Sequence, residues 1–160
     1  MRESLSSLRI AAASHEQTRA LGARLGLALA TDRQDAGIVV GLTGELGAGK
    51  TTLVAGLLEA LGHQGPVRSP TYALVEPYRC GGRDVYHCDL YRLEDPDQLE
   101  DLGYRDFIRP GAIVLVEWPQ KGGEQLGSLD LMIEVNYQGA GRTLVFQART
   151  PRGRQVMTNF

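Results

Sequence analysis

Apolar and polar positions fall into blocks whose period changes along the chain, and the first blocks predict strand, helix, strand, helix. Leu8 and Ile10 predict a short opening strand; Ser14 then stands as N-cap of an Ala/Leu/Arg-rich helix from His15 to Ala30. A polar run, Thr31 to Ala36, separates that helix from Ile38-Val39-Val40-Gly41-Leu42-Thr43. So continuous an apolar run fits a strand buried on both faces. From Lys50 the period lengthens: Leu53, Leu57, Leu58 and Leu61 share one face of a predicted helix that Gly62 stops.

The second half reads as strands with short helical insertions. Ala73 to Tyr78 and Asp84 to Asp89 are β-prone segments joined through Cys80-Gly81-Gly82-Arg83, which predicts a hairpin. Asp95-Pro96-Asp97, with Glu100 following, resembles the start of a short helix running to Leu102 before Gly103. Ile113 to Val116 predicts another buried strand, ending at Glu117-Trp118-Pro119, and Leu131–Tyr137 with Thr143–Ala148 predicts a final hairpin around Gly139-Ala140-Gly141. There is no internal repeat. Strands alternating with helices, plus hairpins, give an α/β class with an antiparallel element. We expect one domain over residues 1–149 and a tail over 150–160.

Composition narrows the partners. With 160 residues, 42% hydrophobic and 22% charged, the chain has an ordinary globular composition, and its net charge of −2 supplies no global positive field for nucleic acid or an anionic membrane. Arg142, Arg149, Arg152 and Arg154 concentrate positive charge locally, suited to a nucleotide, RNA or an acidic partner, or forming a solvated basic tail. Met1 to Ala13 has no long apolar core and no stretch approaches a membrane span, so a cytoplasmic location is expected. Cys80 and Cys88 make no disulfide framework. Cys88 beside His87 suggests metal only weakly, because strand neighbours point to opposite faces.

The choice of cation changes the picture most. The chain uses 15 Arg but two Lys, and one of the two lies in Gly44-Glu45-Leu46-Gly47-Ala48-Gly49-Lys50-Thr51. That octapeptide fits G-x-x-x-x-G-K-[ST], the loop that cradles nucleotide phosphates. Its glycines let backbone N–H groups turn inward around phosphate oxygens, and lysine, a compact mobile charge, reaches the β/γ-phosphates where arginine is a bulkier planar fork. The loop falls between a predicted strand and a predicted helix, the context the motif requires.

Phosphate binding of this kind brings Mg²⁺ with it, held by the loop's Ser/Thr and a strand-end carboxylate. Thr51 supplies the hydroxyl. Glu117, after four apolar residues, has the Walker B pattern; its alternative is an ordinary surface acid. Asp89 leaves a predicted strand and could orient the attacking water or act on the metal through water, or merely cap a turn. Thr71, in Ser69-Pro70-Thr71-Tyr72, stands where such proteins sense the γ-phosphate, or in a plain loop. Trp118 follows Glu117 directly and should therefore face away from it, for stacking, partner contact or packing.

Several segments together resemble one family. Gly44 to Thr52 (GELGAGKTT), Leu61 to Tyr78 (LGHQGPVRSPTYALVEPY), Tyr86 to Leu93 (YHCDLYRL) and Leu115 to Gln120 (LVEWPQ) are similar to the TsaE/YjeE family, over about residues 8 to 147. The resemblance implies a three-layer, P-loop NTPase-like α/β fold around a mixed, mainly parallel sheet with an antiparallel hairpin. It implies ATP and Mg²⁺ as cofactors, low ATPase activity alone, and work with a TsaB–TsaD pair that transfers a threonylcarbamoyl group to adenosine 37 of tRNAs reading ANN codons, with tRNA contact indirect or transient. Residue by residue, Lys50 and Thr51 match the phosphate and magnesium ligands, Glu117 the magnesium-associated acid, and Asp89 the aspartate of hydrolysis. Thr52, Thr71 and Trp118 fall inside matching motifs. Ser14, His15 and Glu16 match an adenine environment, and Arg142 a segment approaching nucleotide.

Two other readings of the loop stay open at this point. A small-metabolite phosphotransferase would need an acceptor pocket and an arginine-bearing lid, for which Arg105 and Arg109 are candidates. A GTP switch is disfavoured, because the other lysine, Lys121, lies in Pro-Gln-Lys-Gly-Gly-Glu and forms no [NT]-K-x-D motif.

Overall fold

The structure is a computed structural model that describes residues 6–32, 36–70 and 73–160. Seven strands, β1 (Ser7–Ala12), β2 (Ile38–Thr43), β3 (Val75–Cys80), β4 (Arg83–Asp89), β5 (Ile113–Glu117), β6 (Leu131–Gln138) and β7 (Gly141–Ala148), form one sheet in the order β1-β7-β6-β2-β5-β4-β3. The central pairs β6-β2, β2-β5 and β5-β4 are parallel, whereas β1-β7, β7-β6 and β4-β3 are antiparallel. Five of the seven strands thus run the same way, which is the mixed, mainly parallel sheet expected, with hairpins towards both edges. β2 and β5 are buried on both faces, as their unbroken apolar runs require.

Strand alternation sends side chains to two separate cores. Ile38, Val40 and Leu42 of β2 and Ile113 and Leu115 of β5 pack under α1 (His15–Ala30) and α2 (Lys50–Ala60). Val39, Val114 and Val116 face the other way, against Leu99 and Tyr104 of the short helices α3 (Gln98–Leu102) and α4 (Tyr104–Phe107) and Leu126 of the 3₁₀ segment Pro119–Leu126. Helices on both faces of a central sheet give the three layers. No helix among the described residues is long and apolar enough to cross a membrane.

The segment set apart as a tail contains an ordered helix, α5 (Pro151–Thr158), capped by the Thr150 hydroxyl, which accepts from the Gly153 N–H. Val156 and Met157 join the α1/α2 core, and the Arg152 guanidinium donates to both oxygens of buried Asp32 and to the Gly37 carbonyl. The four C-terminal arginines consequently do not form one basic patch. Arg152 sits beyond the C-terminal end of α1, while Arg142 binds the Ala48 carbonyl near its N-terminal end.

What brings α2 against α1 is the absence of two side chains. A Cβ on Gly22 would lie 2.0 Å from the Leu53 carbonyl oxygen, and one on Gly56 would lie 2.0 Å from that of Arg19. The helices therefore cross backbone against backbone, with exposed Arg19 and Glu59 paired at 2.6 Å beside the crossing. By helix propensity alone Gly56→Ala should stabilise the chain by roughly 1 kcal/mol. The crossing reverses the sign: we expect it to lose about 2 kcal/mol, because rigid backbone must move, and urea unfolding of the two chains measures the difference.

Candidate functional site

The loop between β2 and α2 has the backbone that its glycines allow. Gly44, Gly47 and Gly49 lie at φ of 143°, 78° and 114°, and a side chain on Gly44 would strike the Val135 carbonyl oxygen at 2.4 Å. Gly49 is the N-cap of α2 and offers no side-chain cap. The N–H groups of the first helical turn therefore point, without a side-chain partner, into the cleft at the helix end, where backbone dipoles favour an anion. The outer side of the loop is tied to the β6-β7 hairpin. Tyr137 donates to the Leu46 carbonyl at 3.0 Å, and Arg142 Nε to the Ala48 carbonyl at 2.7 Å.

Lys50, 6% exposed, donates from Nζ to the Gly44 and Glu45 carbonyls at 2.5 and 3.0 Å. Burial pushes its ammonium pKa down, and the Glu117 and Asp89 carboxylates oppose that shift. The two acids come together through register: parallel pairing sets Asp89 of β4 opposite Glu117 of β5, and Glu117 opposite Leu42 of β2. A cleft of about 330 Å³ joins them to Lys50, Thr51, Thr52 and Trp118. Asp89 caps a turn, its Oδ1 accepting from the Tyr91 N–H at 3.0 Å, and it also lines the cleft. Desolvation raises its pKa, Tyr91's N–H lowers it, and Glu117 raises it further.

Trp118 corrects an expectation. Strict strand alternation would have turned it from Glu117, but its backbone is left-handed (φ 56°), and the pleat ends there. The Lys50 ammonium sits 4.9 Å from the indole centroid, and the Tyr91 ring packs 5.1 Å away on the rim. Ser14 caps α1, accepting from the Gln17 N–H, and with His15, Glu16 and Arg142 lines a second cleft of about 240 Å³. His15 and Gly49 border both clefts, so the two are adjacent. Thr71 lies outside the described residues. Arg109 is no lid over this site: it pairs with the Tyr86 hydroxyl and, at 3.5 Å, with Asp84 at the opposite end of β4, about 16 Å of strand from Asp89.

Two polar neighbours of the cleft escaped sequence reasoning. Ser69 Oγ lies 2.6 Å from Thr51 Oγ1 and donates to Glu117 Oε2 at 3.4 Å. His87, fully buried, has Nε2 at 2.7 Å from the same Glu117 oxygen. Period-2 spacing was the available signal for His87, two residues before Asp89 and hence on its face. Cys88 points into the opposite core, and burial pushes its thiol up to about 12, so the pair is no metal site. Among the described residues no three His, Cys, Asp or Glu side chains cluster as a metal cage. Mg²⁺ needs none, since one or two carboxylates with a hydroxyl, phosphate and water suffice, and Thr51, Glu117 and Asp89 are donors of that kind.

Comparison with known proteins bears on the family and the fold. The sequence profile of the family described as "Threonylcarbamoyl adenosine biosynthesis protein TsaE" matches residues 12–145. The tRNA threonylcarbamoyladenosine biosynthesis protein TsaE of Haemophilus influenzae is 46% identical over 123 residues, covering 77% of this chain and 78% of that protein. Its Bacillus subtilis namesake is 40% identical over 124 residues, covering 78% and 74%. The crystal structure of Bacillus subtilis YdiB superposes with a TM-score of 0.75 at 28% identity, over 98% of this chain and 95% of that one. Matches of this extent, on a fold already seen to be similar throughout, have one meaning: the chain belongs to the TsaE family of threonylcarbamoyl adenosine biosynthesis proteins.

Proposed function

We propose that this chain is a Mg²⁺-dependent ATPase and an accessory subunit of tRNA threonylcarbamoyladenosine synthesis, acting with a TsaB–TsaD pair on adenosine 37 of tRNAs reading ANN codons. The observation that carries this reading is the convergence of Lys50, Thr51, Asp89 and Glu117 on one cleft at the uncapped N-terminus of α2. In it, the loop N–H groups and Lys50 hold the β/γ-phosphates. Thr51 and Glu117 are the residues that would hold Mg²⁺, whose chemistry when bound is to neutralise charge on the phosphate oxygens. Asp89 orients the attacking water, and its desolvated carboxyl is suited to take a proton from it. The second cleft, with Ser14, His15 and Arg142, takes the adenine end. A net charge of −2 favours indirect or transient contact with tRNA, and exposed Leu46 and Tyr137 beside the loop suit a covering protein partner. Co-purification with TsaB–TsaD in the presence and absence of ATP tests the whole reading. A chain that neither binds ATP with Mg²⁺ nor joins that pair has another function.

Lys50→Ala removes a charge-assisted phosphate contact worth on the order of 1.5–3 kcal/mol, and we expect ATP affinity to fall accordingly and hydrolysis to stop. Equilibrium binding and phosphate release measure both. Glu117→Gln should cut Mg²⁺-dependent turnover on the order of a hundredfold while leaving the melting temperature within a few degrees. Normal turnover in that variant returns Glu117 to a structural role.

Asp89 gives a prediction with opposite signs for activity and stability. A carboxyl whose folded pKa is raised penalises the fold once pH exceeds its unfolded value, and the penalty disappears below it. Asp89→Asn keeps an oxygen for the Tyr91 N–H, so it should melt higher than the parent at pH 7, equal it near pH 3, and hydrolyse ATP poorly. Thermal melts across that range, paired with turnover assays, check the signs.

A further inference from the structure

Among the described residues, His87 is the side chain that hydrogen-bonds the cleft's acid without lining the cleft itself. It lies in the middle of β4, fully buried, on the face shared with Val85 and Asp89. Its register partner is Leu115, two residues before Glu117, so the histidine and the glutamate are diagonal neighbours on adjacent strands. Diagonal pairs are within reach only of long side chains. Glu117 accordingly bends back along the sheet, and its Oε2 meets His87 Nε2 at 2.7 Å. Nε2 faces the carboxylate and can donate to it, and Nδ1 is buried without a hydrogen-bond partner. Ser69 reaches the same oxygen at 3.4 Å. Both tethers use Oε2, and among the described residues no hydrogen bond engages Oε1.

We propose that His87 is a positioning residue: its Nε2–H pins Glu117 Oε2 so that Oε1 is the oxygen presented to a divalent cation beside Thr51. This rests on the reading of Glu117 as the acid of a metal-dependent hydrolase. With Oε2 engaged by His87, Oε1 would be the oxygen left open to the cation, and one or two carboxylates suffice for Mg²⁺. Loss of such an outer tether costs on the order of 10–100-fold in metal affinity or activity, because a small misplacement of the ligand is felt in full. Ser69 alone is too distant to substitute.

Two amides separate this role from mere filling of the core. Gln can place its N–H near the position of the imidazole Nε2, whereas Asn is one methylene too short to reach Glu117. In His87→Asn we expect Mn²⁺ affinity, read by electron paramagnetic resonance of the full chain with a non-hydrolysable ATP analogue, to fall by about 10–100-fold. Affinity for the analogue in EDTA should stay within about twofold, and kcat should fall with KM for ATP unchanged. His87→Gln should recover Mn²⁺ affinity to within about threefold of the parent. Should the Asn chain lack a cooperative melt, His87→Leu takes its place in the comparison. Equal Mn²⁺ affinity in the Asn and Gln chains overturns the proposal, as does parental affinity in Asn while Glu117→Gln has lost it. If Glu117→Gln itself binds Mn²⁺ like the parent, the acid is not the metal's ligand, and the reading beneath the proposal fails with it.

Discussion

Parallel pairing of β2 with β5 is the constraint on which the rest of the site depends. One register sets Leu42 opposite Glu117, and the Trp118 N–H then continues the ladder to the Leu42 carbonyl at 3.2 Å. The loop that leaves β2 and the acid that ends β5 are thereby held side by side by backbone hydrogen bonds before any side chain contributes. A slip of one residue would send Glu117 into the opposite core, among Val114 and Val116. Burial on both faces is what prevents it, because each slipped residue would exchange one packed environment for another of different shape.

The elements were legible because their periods are clean. β2 and α1 fall at the ends read from the sequence, and the glycine pairs Gly81-Gly82 and the Gly139 turn mark both hairpins. The loop and its two acids were legible for the same reason, being strand ends. Less legible were features set by contacts between distant residues. Nothing in the spacing of Gly22 and Gly56 says that a carbonyl from the other helix lies against each. α5 has a mean composition too polar to announce itself, and it is held through Val156, Met157 and an ion pair to Asp32, 120 residues earlier. Trp118 escaped because alternation stops where φ changes sign, and sequence periodicity carries no notice of that.

His87 illustrates a different limit. Its face was readable, two residues before Asp89, but its partner was not, because a diagonal contact between β4 and β5 exists only once their register is known. A histidine at the centre of an apolar strand otherwise reads as core filling beside Cys88. The structure separates the two by face: Cys88 is enclosed by apolar neighbours, and His87 meets a carboxylate.

The two ends of the sheet handle buried polar groups in opposite ways. At the N-terminal ends of the parallel strands, Arg83 donates to the Gly111 and Leu29 carbonyls, and Asp32 is enclosed by Arg152 and sits beside Gly37. Those groups are bonded to protein, and they lock the strand starts to α1 and α5. At the C-terminal ends, Lys50 and Glu117 are as buried, yet both line a cleft, and among the described residues Lys50 has only backbone carbonyls within hydrogen-bonding distance although two carboxylates stand in its field. Protein charge of opposite sign is near enough to influence the lysine but not to close upon it. A buried ammonium with no carboxylate upon it raises the cost of the fold, and an anionic ligand is the kind that would make up the difference. The asymmetry between the two ends is therefore what distinguishes the stabilising ion pair of this fold from its site, and it follows from where parallel strands direct their carboxyl ends.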